Sequence, residues 1–347
     1  MLDFLYARAV GARRRWYERH PEARRRLARP VISVGNLSVG GTAKTPMVSL
    51  IARWLIYRGE RPAILSRGYG RRNRQDGVVV VSDGSTVLAG LDEAGDEPLM
   101  LARELPKAVV AVSEDRFLAG TLAERRLGAT VHVLDDGFQH VQLARDLDVL
   151  MTSVGEAGSG RVLPFGRLRE GFDAAARADV VVVLDADLAT ARSEAWTLGI
   201  SQAVAAERRL GVEGATRTSR ASGASGAWGA SGASGTSGAA PIVAVSGIAH
   251  PDRFFQMLRD AGYNVAATLA YRDHHPYSNS DASRVAAAAR AAGTDTVLTT
   301  QKDLVRWEAL GELPFSPVAV PLVLDIDGWE ALSESIDQAL ARAREAA

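Results

Sequence analysis

From residue 31 onward, short apolar runs alternate with longer stretches of helical period. Residues 31–34, 63–65, 78–81, 108–112, 130–134, 148–151 and 180–184 read as strands, because brief apolar runs bounded by turn residues fit strands buried on both faces. Segments of helical pattern lie between several of them, notably 46–57 and 116–127. Such alternation predicts an α/β fold with a mostly parallel sheet flanked by helices. After residue 241 the pattern restarts. It predicts a strand at 242–245, a helix at 252–260, a strand near 265–269, a helix at 281–292, and strands at 296–299 and 318–324.

Residues 214–240 separate the two blocks and are mostly alanine, serine and glycine, too poor in large apolar groups to pack a core. The expected organisation is therefore a basic N-terminal helix over 1–29, an α/β domain over 30–205, a low-complexity insertion or linker over 206–241, and a smaller α/β domain over 242–347. A chain of 347 residues, 47% hydrophobic, is long enough for two cores.

Charge changes the picture at one place. Lysine plus arginine equals aspartate plus glutamate at 41 each, so no global field recruits nucleic acid, and no nucleic-acid partner is expected. Residues 1–29, however, hold nine arginines against three acids, with Phe4, Leu5, Trp16 and Tyr17 among them. Two readings fit: a solvated basic helix packed on its own domain, or an interfacial helix on an anionic membrane. No apolar run approaches the roughly 20 residues that span a bilayer. Arginines follow the first apolar residues instead of preceding them, so this stretch is expected to be retained and not cleaved as a signal. Cysteine is absent, which excludes disulfides, thiolate nucleophiles and cysteine-based metal sites.

Chemistry concentrates in 35–46, Gly-Asn-Leu-Ser-Val-Gly-Gly-Thr-Ala-Lys-Thr-Pro, between a predicted strand and a predicted helix. A phosphate-cradling P-loop needs that context. Backbone N–H groups around Gly40, Gly41, Thr42 and Ala43 would surround the phosphates, Lys44 would reach the β and γ groups, and the Thr45 hydroxyl would bind Mg²⁺. The match to G-x-x-x-x-G-K-[ST] is incomplete, because Ser38 and Ala43 replace both glycines, and Ala43 tolerates a positive φ poorly.

Asp135 and Asp136 end an apolar strand. An Asp-Asp-Gly can be a plain turn, but acids at the carboxyl end of a parallel strand face the ligand crevice, and beside a P-loop the metal-binding reading is the better one. Asp96 and Glu97 open a helix. They could simply complement its dipole, or Asp96 could accept the proton of an attacking hydroxyl. Arg67, Arg116 and Arg169 are cations suited to phosphate, and Glu170 is a further acid suited to Mg²⁺. In Tyr271-Arg272-Asp273-His274-His275-Pro276-Tyr277, two histidines adjoin a carboxylate. With no third metal ligand evident, His274 reads as a group that orients or tunes a catalytic carboxylate.

In joint order, segments 34–46, 66–70, 95–98, 135–140, 163–170, 247–254, 273–277 and 299–303 resemble the tetraacyldisaccharide 4′-kinases of lipid A biosynthesis, over nearly the whole chain. The resemblance implies ATP- and Mg²⁺-dependent phosphorylation of the 4′-hydroxyl of an acylated glucosamine disaccharide 1-phosphate, by a peripheral protein on the cytoplasmic side of the inner membrane. It implies that residues 1–29 contact that membrane. It also implies that Lys44 and Thr45 meet phosphate and Mg²⁺, that Asp135, Asp136 and Glu170 stand on the metal side, that Asp96 is the base, and that His274 supports it as the two domains close. Ala43 departs from the family glycine, Gln301 from a usual glutamate, and 214–240 is an added segment. Oligomeric state is not readable. Competing readings are a nucleotide-hydrolysing switch, disfavoured as a GTPase by the absence of Asn-Lys-x-Asp, a kinase for another amphiphilic or sugar acceptor, and a membrane scaffold with no need of Lys44.

Overall fold

The structure, a computed structural model, describes residues 2–73, 76–156, 160–211 and 240–345. The low-complexity segment 214–240 lies outside the described residues except for Ala240. Two compact units are present: Met1–Arg208 with Leu324–Ala347, and Arg209–Val323.

In chain order the elements are α1 (Leu2–Arg19), β1 (Val31–Asn36), α2 (Lys44–Tyr57), β2 (Pro62–Ser66), β3 (Val79–Asp83), α3 (Leu91–Ala94), α4 (Asp96–Glu104), β4 (Val109–Val112), α5 (Arg116–Leu127), β5 (Val131–Asp135), β6 (Leu147–Ser153), β7 (Val180–Leu184), α6 (Leu188–Leu198) and β8 (Gln202–Leu210). The smaller unit adds β9 (Pro241–Ser246), α7 (Pro251–Asp260), β10 (Asn264–Ala270), α8 (Asn279–Ala291), β11 (Thr296–Thr300), α9 (Gln301–Glu308) and β12 (Ser316–Val320), after which β13 (Leu322–Asp327) and α10 (Trp329–Glu345) follow.

A nine-stranded sheet runs β13-β8-β7-β6-β1-β5-β2-β4-β3. Its pairings from β8 to β4 are parallel, and β3 adds an antiparallel edge. Strands β1, β2, β4, β5 and β7 are buried along their whole length, as expected where helices cover both faces of a parallel sheet. One core gathers Val31, Ala63, Leu65, Val109, Ala119 and Leu134. Another gathers Phe138, Leu150, Val181, Val183, Ala191 and Leu198. Helix ends are built locally: Asp115 caps α5 by accepting from Phe117 N and Leu118 N, and Gly128 closes it at φ 67.

The smaller unit holds a four-stranded sheet, β10-β9-β11-β12, all parallel. Two expectations need correction. The smaller unit ends at Val323 and not at the chain end, since Leu324–Ala347 groups with the larger unit. The single strand expected over 318–324 is two strands in different sheets, β12 and β13. Pro321 stands between them, and with no N–H to donate it interrupts a ladder there.

Because β1, β2, β4 and β5 are parallel, their carboxyl ends share one edge of the sheet. Lys44 follows β1, Arg67 follows β2, Arg116 follows β4 and Asp136 follows β5, so topology alone gathers these charges at the crevice where α/β sheets bind ligands.

Candidate functional site

The loop between β1 and α2 is strapped to residues 167–169. Val39 N donates to Arg167 O (2.7 Å) and Arg169 N donates to Leu37 O (2.7 Å), while Arg167 Nη2 donates to Val39 O (2.9 Å). Loop and block 163–170 therefore form one small antiparallel ribbon, with a bridge between Ser38 and Leu168. On the other side β1 lies against Phe138. A Cβ on Gly35 would lie 2.5 Å from Phe138 Cβ and 2.7 Å from its backbone N, so only glycine lets the two strand ends approach.

Ala43 takes φ 50, ψ 29 at the start of α2. The loop thus demands the left-handed conformation at the position where the motif has glycine, and alanine adopts it at a cost of about 1–2 kcal/mol. Lys44 Nζ donates to Asn36 Oδ1 (3.1 Å) and stands 3.6 Å from Asp136 Oδ1. The Thr42 hydroxyl accepts from Asn36 Nδ2 (2.8 Å), so its side chain faces into the loop. Gly41 is exposed, with open space where a Cβ would stand. Thr45 is half-buried in the first turn of α2.

Asp136 occupies the left-handed region at φ 56. Arg169 Nη1 donates to its Oδ2 (2.7 Å) and also to Gln139 Oε1 (3.2 Å), and Gln139 Nε2 donates to Asn36 O (2.8 Å). Burial pushes the Asp136 carboxyl upward, but Lys44 and Arg169 outweigh it and hold the group below its ordinary value. Asp135 is pushed the other way, first by burial and then by the charges of Glu97 and Asp136. Arg116 is buried; desolvation, aided by the Arg67 cation, pulls its guanidinium down to about 10, while Asp136 and Asp135 oppose that shift. Its Nε has no hydrogen-bond partner.

Asp96, 4% exposed, is the first residue of α4, and one carboxylate oxygen accepts from Glu97 N (3.0 Å). Gly95 before it has φ 85 and runs so near the Tyr69 carbonyl that a Cβ would lie 2.8 Å away, which packs this helix start against the loop carrying Arg67.

Among the described residues, no group of three or more His, Cys, Asp or Glu side chains is arranged to hold a metal ion. The pair Asp135 and Asp136 nonetheless suits Mg²⁺, an ion commonly bound by one or two carboxylates plus substrate phosphates and water. Asp136 Oδ1 is buried without a hydrogen-bond partner, and Asp135 is buried beside the carboxylates of Glu97 and Asp136, so its charge is costly and a cation would relieve it.

Glu170 departs from the metal-side role expected of it. Its buried carboxylate accepts from Arg177 (3.0 and 3.3 Å) and lies 3.8 Å from Arg14 Nη1. Arg14 also pairs with Asp173, and Arg177 Nη2 donates to Phe138 O (2.7 Å). This acid ties α1 to the segment after β5.

His274 lies in the smaller unit, at φ 56 in the loop after β10. Its backbone N donates to Gly247 O (3.2 Å), and its Nε2 is 3.1 Å from Lys302 Nζ. Neighbouring Asp303 is fully buried. It accepts from Gly247 N (3.1 Å), Ser246 Oγ (3.2 Å), Tyr277 Oη (2.8 Å), Thr300 Oγ1 (2.7 Å) and Arg306 Nη2 (2.7 Å). Burial, followed by the Asp303 charge, pushes the Tyr277 hydroxyl far up.

The structure therefore brings Lys44, Asp136 and Arg169 into direct contact and sets Asp135, Arg116 and Arg67 within one field, while Glu170 is paired elsewhere. Sequence reasoning gave no site role to Asn36, Gln139 or Lys302, and left Glu97 as a helix-dipole residue. Asn36 and Gln139 lay inside segments already singled out, and their polar side chains next to a P-loop and an acidic pair were the available signal.

The family model described as Tetraacyldisaccharide-1-P 4'-kinase matches residues 1–341. A tetraacyldisaccharide 4'-kinase of Geobacter metallireducens is 43% identical over 310 residues, 88% of this chain and 87% of that protein. One of Anaeromyxobacter sp. strain Fw109-5 is 37% identical over 99% of this chain and 91% of its own. A crystal structure of LpxK from Aquifex aeolicus in complex with ATP is similar over 98% of this chain and 97% of that one, at 27% identity and a TM-score of 0.72. With a phosphate loop, an acidic strand end and this whole-length similarity, the chain belongs to the tetraacyldisaccharide 4′-kinase family.

Proposed function

We propose that the chain binds ATP at the loop 35–45 and transfers its γ-phosphoryl group to the 4′-hydroxyl of a tetraacylated glucosamine disaccharide 1-phosphate, a step in lipid A biosynthesis. The observation that carries this reading is the meeting of Lys44, at the start of α2, with Asp136, at the end of β5, across the edge of the sheet. A cation for the phosphates and an acid for a metal ion stand there side by side, as phosphoryl transfer requires.

In this reading the loop backbone and Lys44 orient the β and γ phosphates, and Arg116, Arg67 and Arg169 neutralise charge as it spreads over the transferring group. Asp135, Asp136 and the Thr45 hydroxyl would hold Mg²⁺, which would supply positive charge against the transferring phosphoryl group. Asp96 accepts the proton of the 4′-hydroxyl as that oxygen bonds to the γ-phosphorus, the bond to the β-phosphate oxygen breaks, and ADP leaves.

Helix α1 supports placement at the cytoplasmic face of the inner membrane. Phe4 and Trp16 are exposed at 61% and 48%, and Arg13, Arg15 and Arg19 are exposed on the same helix. Basic groups beside aromatic ones suit an anionic lipid surface. No helix among the described residues is long and apolar enough to cross a membrane.

Purified protein incubated with γ-labelled ATP, Mg²⁺ and tetraacyldisaccharide 1-phosphate in detergent micelles, beside Lys44→Ala, tests the proposal. Label in the lipid from the wild type alone is the expected result. Label released only as inorganic phosphate would instead mark a nucleotide hydrolase.

A further inference from the structure

We propose that Arg14 of α1 is a positioning residue for phosphoryl transfer: through Glu170 it holds the backbone from which Arg169 reaches the phosphate site. Among the described side chains of α1, Arg14 alone is buried, at 7% exposure. A surface helix ordinarily docks on its own domain through a stripe of apolar side chains. This one sends a guanidinium inward, and arginine is almost never fully buried unless it is paired.

The partners of that cation lead to the nucleotide loop, all within one compact unit. Arg14 pairs with Asp173, and its Nη1 lies 3.8 Å from the buried carboxylate of Glu170. Glu170 also accepts from Arg177 Nη2 at 3.0 Å, and that nitrogen donates to Phe138 O at 2.7 Å. The residue before Glu170 is Arg169, whose Nη1 donates to Asp136 Oδ2 and whose backbone N donates to Leu37 O, both at 2.7 Å. Residues 169 and 170 lie outside any helix or strand, so contacts of their side chains do much of the placing.

Stability alone explains this arrangement poorly. A buried ion pair is often no better than apolar side chains of similar volume, because both charges must leave water. What charges add is direction, since a guanidinium meets a carboxylate in a planar, specific geometry. Here the direction is set one residue away from the arginine assigned to the transferring group. The exposed Phe4, Arg13, Arg15, Trp16 and Arg19 of the same helix remain available to a lipid surface. Docking and positioning thus fall to different residues of α1.

This inference rests on the assignment of Arg169 to the transferring phosphoryl group, and a double-mutant cycle separates the two. Arg14→Met, Arg169→Met, the double variant and Arg14→Lys are assayed in detergent micelles with saturating lipid acceptor, at a temperature where circular dichroism shows each to be folded. Arg169→Met is expected to lower kcat about 10²- to 10³-fold. Arg14→Met should lower it about 10- to 100-fold, as misplacement of a reacting group does. In the Arg169→Met background the same change should cost no more than about twofold, because the group it positions is gone. Arg14→Lys, which keeps the charge, should recover part of the turnover, and Arg14→Met should sediment with anionic vesicles as the wild type does. Glu170→Gln cuts the same link from its other end and repeats the cycle should Arg14→Met fail to fold.

Equal losses in both backgrounds would overturn the proposal, since Arg14 would then act without Arg169. So would an unchanged kcat in Arg14→Met beside a slowed Arg169→Met. Full turnover in Arg169→Met would remove that arginine from the reaction and this inference with it, while leaving the kinase reading to the labelled-lipid assay.

Discussion

Arg169 donates to Asp136 at 2.7 Å, so the guanidinium suited to phosphate and the carboxylate suited to a metal ion are paired with one another. Lys44 stands 3.6 Å from the other oxygen of the same carboxylate. ATP and Mg²⁺ would take over both partners. Asp136→Asn should therefore lower kcat at least 100-fold, because a carboxylate assigned to hold Mg²⁺ beside the transferring group is lost. Metal-free ATP should bind the variant at least as tightly as the wild type, since a competing anion is gone. Calorimetry in EDTA beside turnover in Mg²⁺ checks both halves, and weaker metal-free binding would contradict the competition.

Ala43 at φ 50 carries a strain that glycine lacks. Against it stands the greater freedom that glycine has in the unfolded chain. Ala43→Gly should gain a net ~0.5–1 kcal/mol, a rise in Tm of a few degrees, and should tighten ATP binding. Thermal unfolding with and without ATP measures it; a lower Tm would mean that the loop does not hold this conformation in solution.

His140 predicts acid sensitivity. Burial, followed by the charges of Arg116 and Arg145, lowers its pKa from 6.5 to about 3. As pH falls through about 6.5 the unfolded chain takes up a proton that the native protein refuses until near pH 3. Stability present above pH 6.5 is therefore lost progressively toward pH 3. His140→Asn should lose less stability between pH 7 and pH 5 than the wild type in urea titrations; equal losses would place the acid sensitivity elsewhere.

Glu170 offers a test of structural against metal-binding use. Its charge is engaged by Arg177 and Arg14 in a buried setting, and removing one member of such a set costs on the order of 3 kcal/mol. Glu170→Gln should unfold at a lower temperature yet need the same Mg²⁺ concentration for half-maximal turnover. A raised Mg²⁺ requirement without loss of stability would return this acid to the metal.

Asp96 should separate chemistry from binding. Asp96→Asn removes a proton acceptor while leaving the phosphate loop intact, so kcat should fall by orders of magnitude with nucleotide affinity preserved. Unchanged turnover would rule it out as the base.

Much of this architecture was legible in the sequence because burial on both faces writes a continuous apolar run. Residues 180–184 and 116–127 coincide with β7 and α5, and the remaining central strands agree to within one to three residues. What escaped notice lies at the margins. Strand β8 contains Glu207, Arg208 and Arg209, so it does not look apolar, and β13 was merged with β12 into one expected strand. In the site, Lys44, Asp135 and Asp136 were readable because a loop between strand and helix and acids at a strand end have few other uses. The engagement of Glu170 by Arg14 was not, since the two are distant in sequence and pair only through the packing of α1. Nor was the contact of Lys302 with His274, which joins the start of α9 to the loop after β10.

The strand order has a consequence for synthesis on the ribosome. Strand β1 sits between β5 and β6, both made some hundred residues after it. As the chain emerges, the strand that carries the phosphate loop has neither neighbour until residues 131–153 are out, and contacts of such long sequence separation form slowly. The nascent chain therefore acquires its nucleotide loop early as sequence and late as structure. ATP can begin to favour the folded state only after nearly half of the protein has been translated.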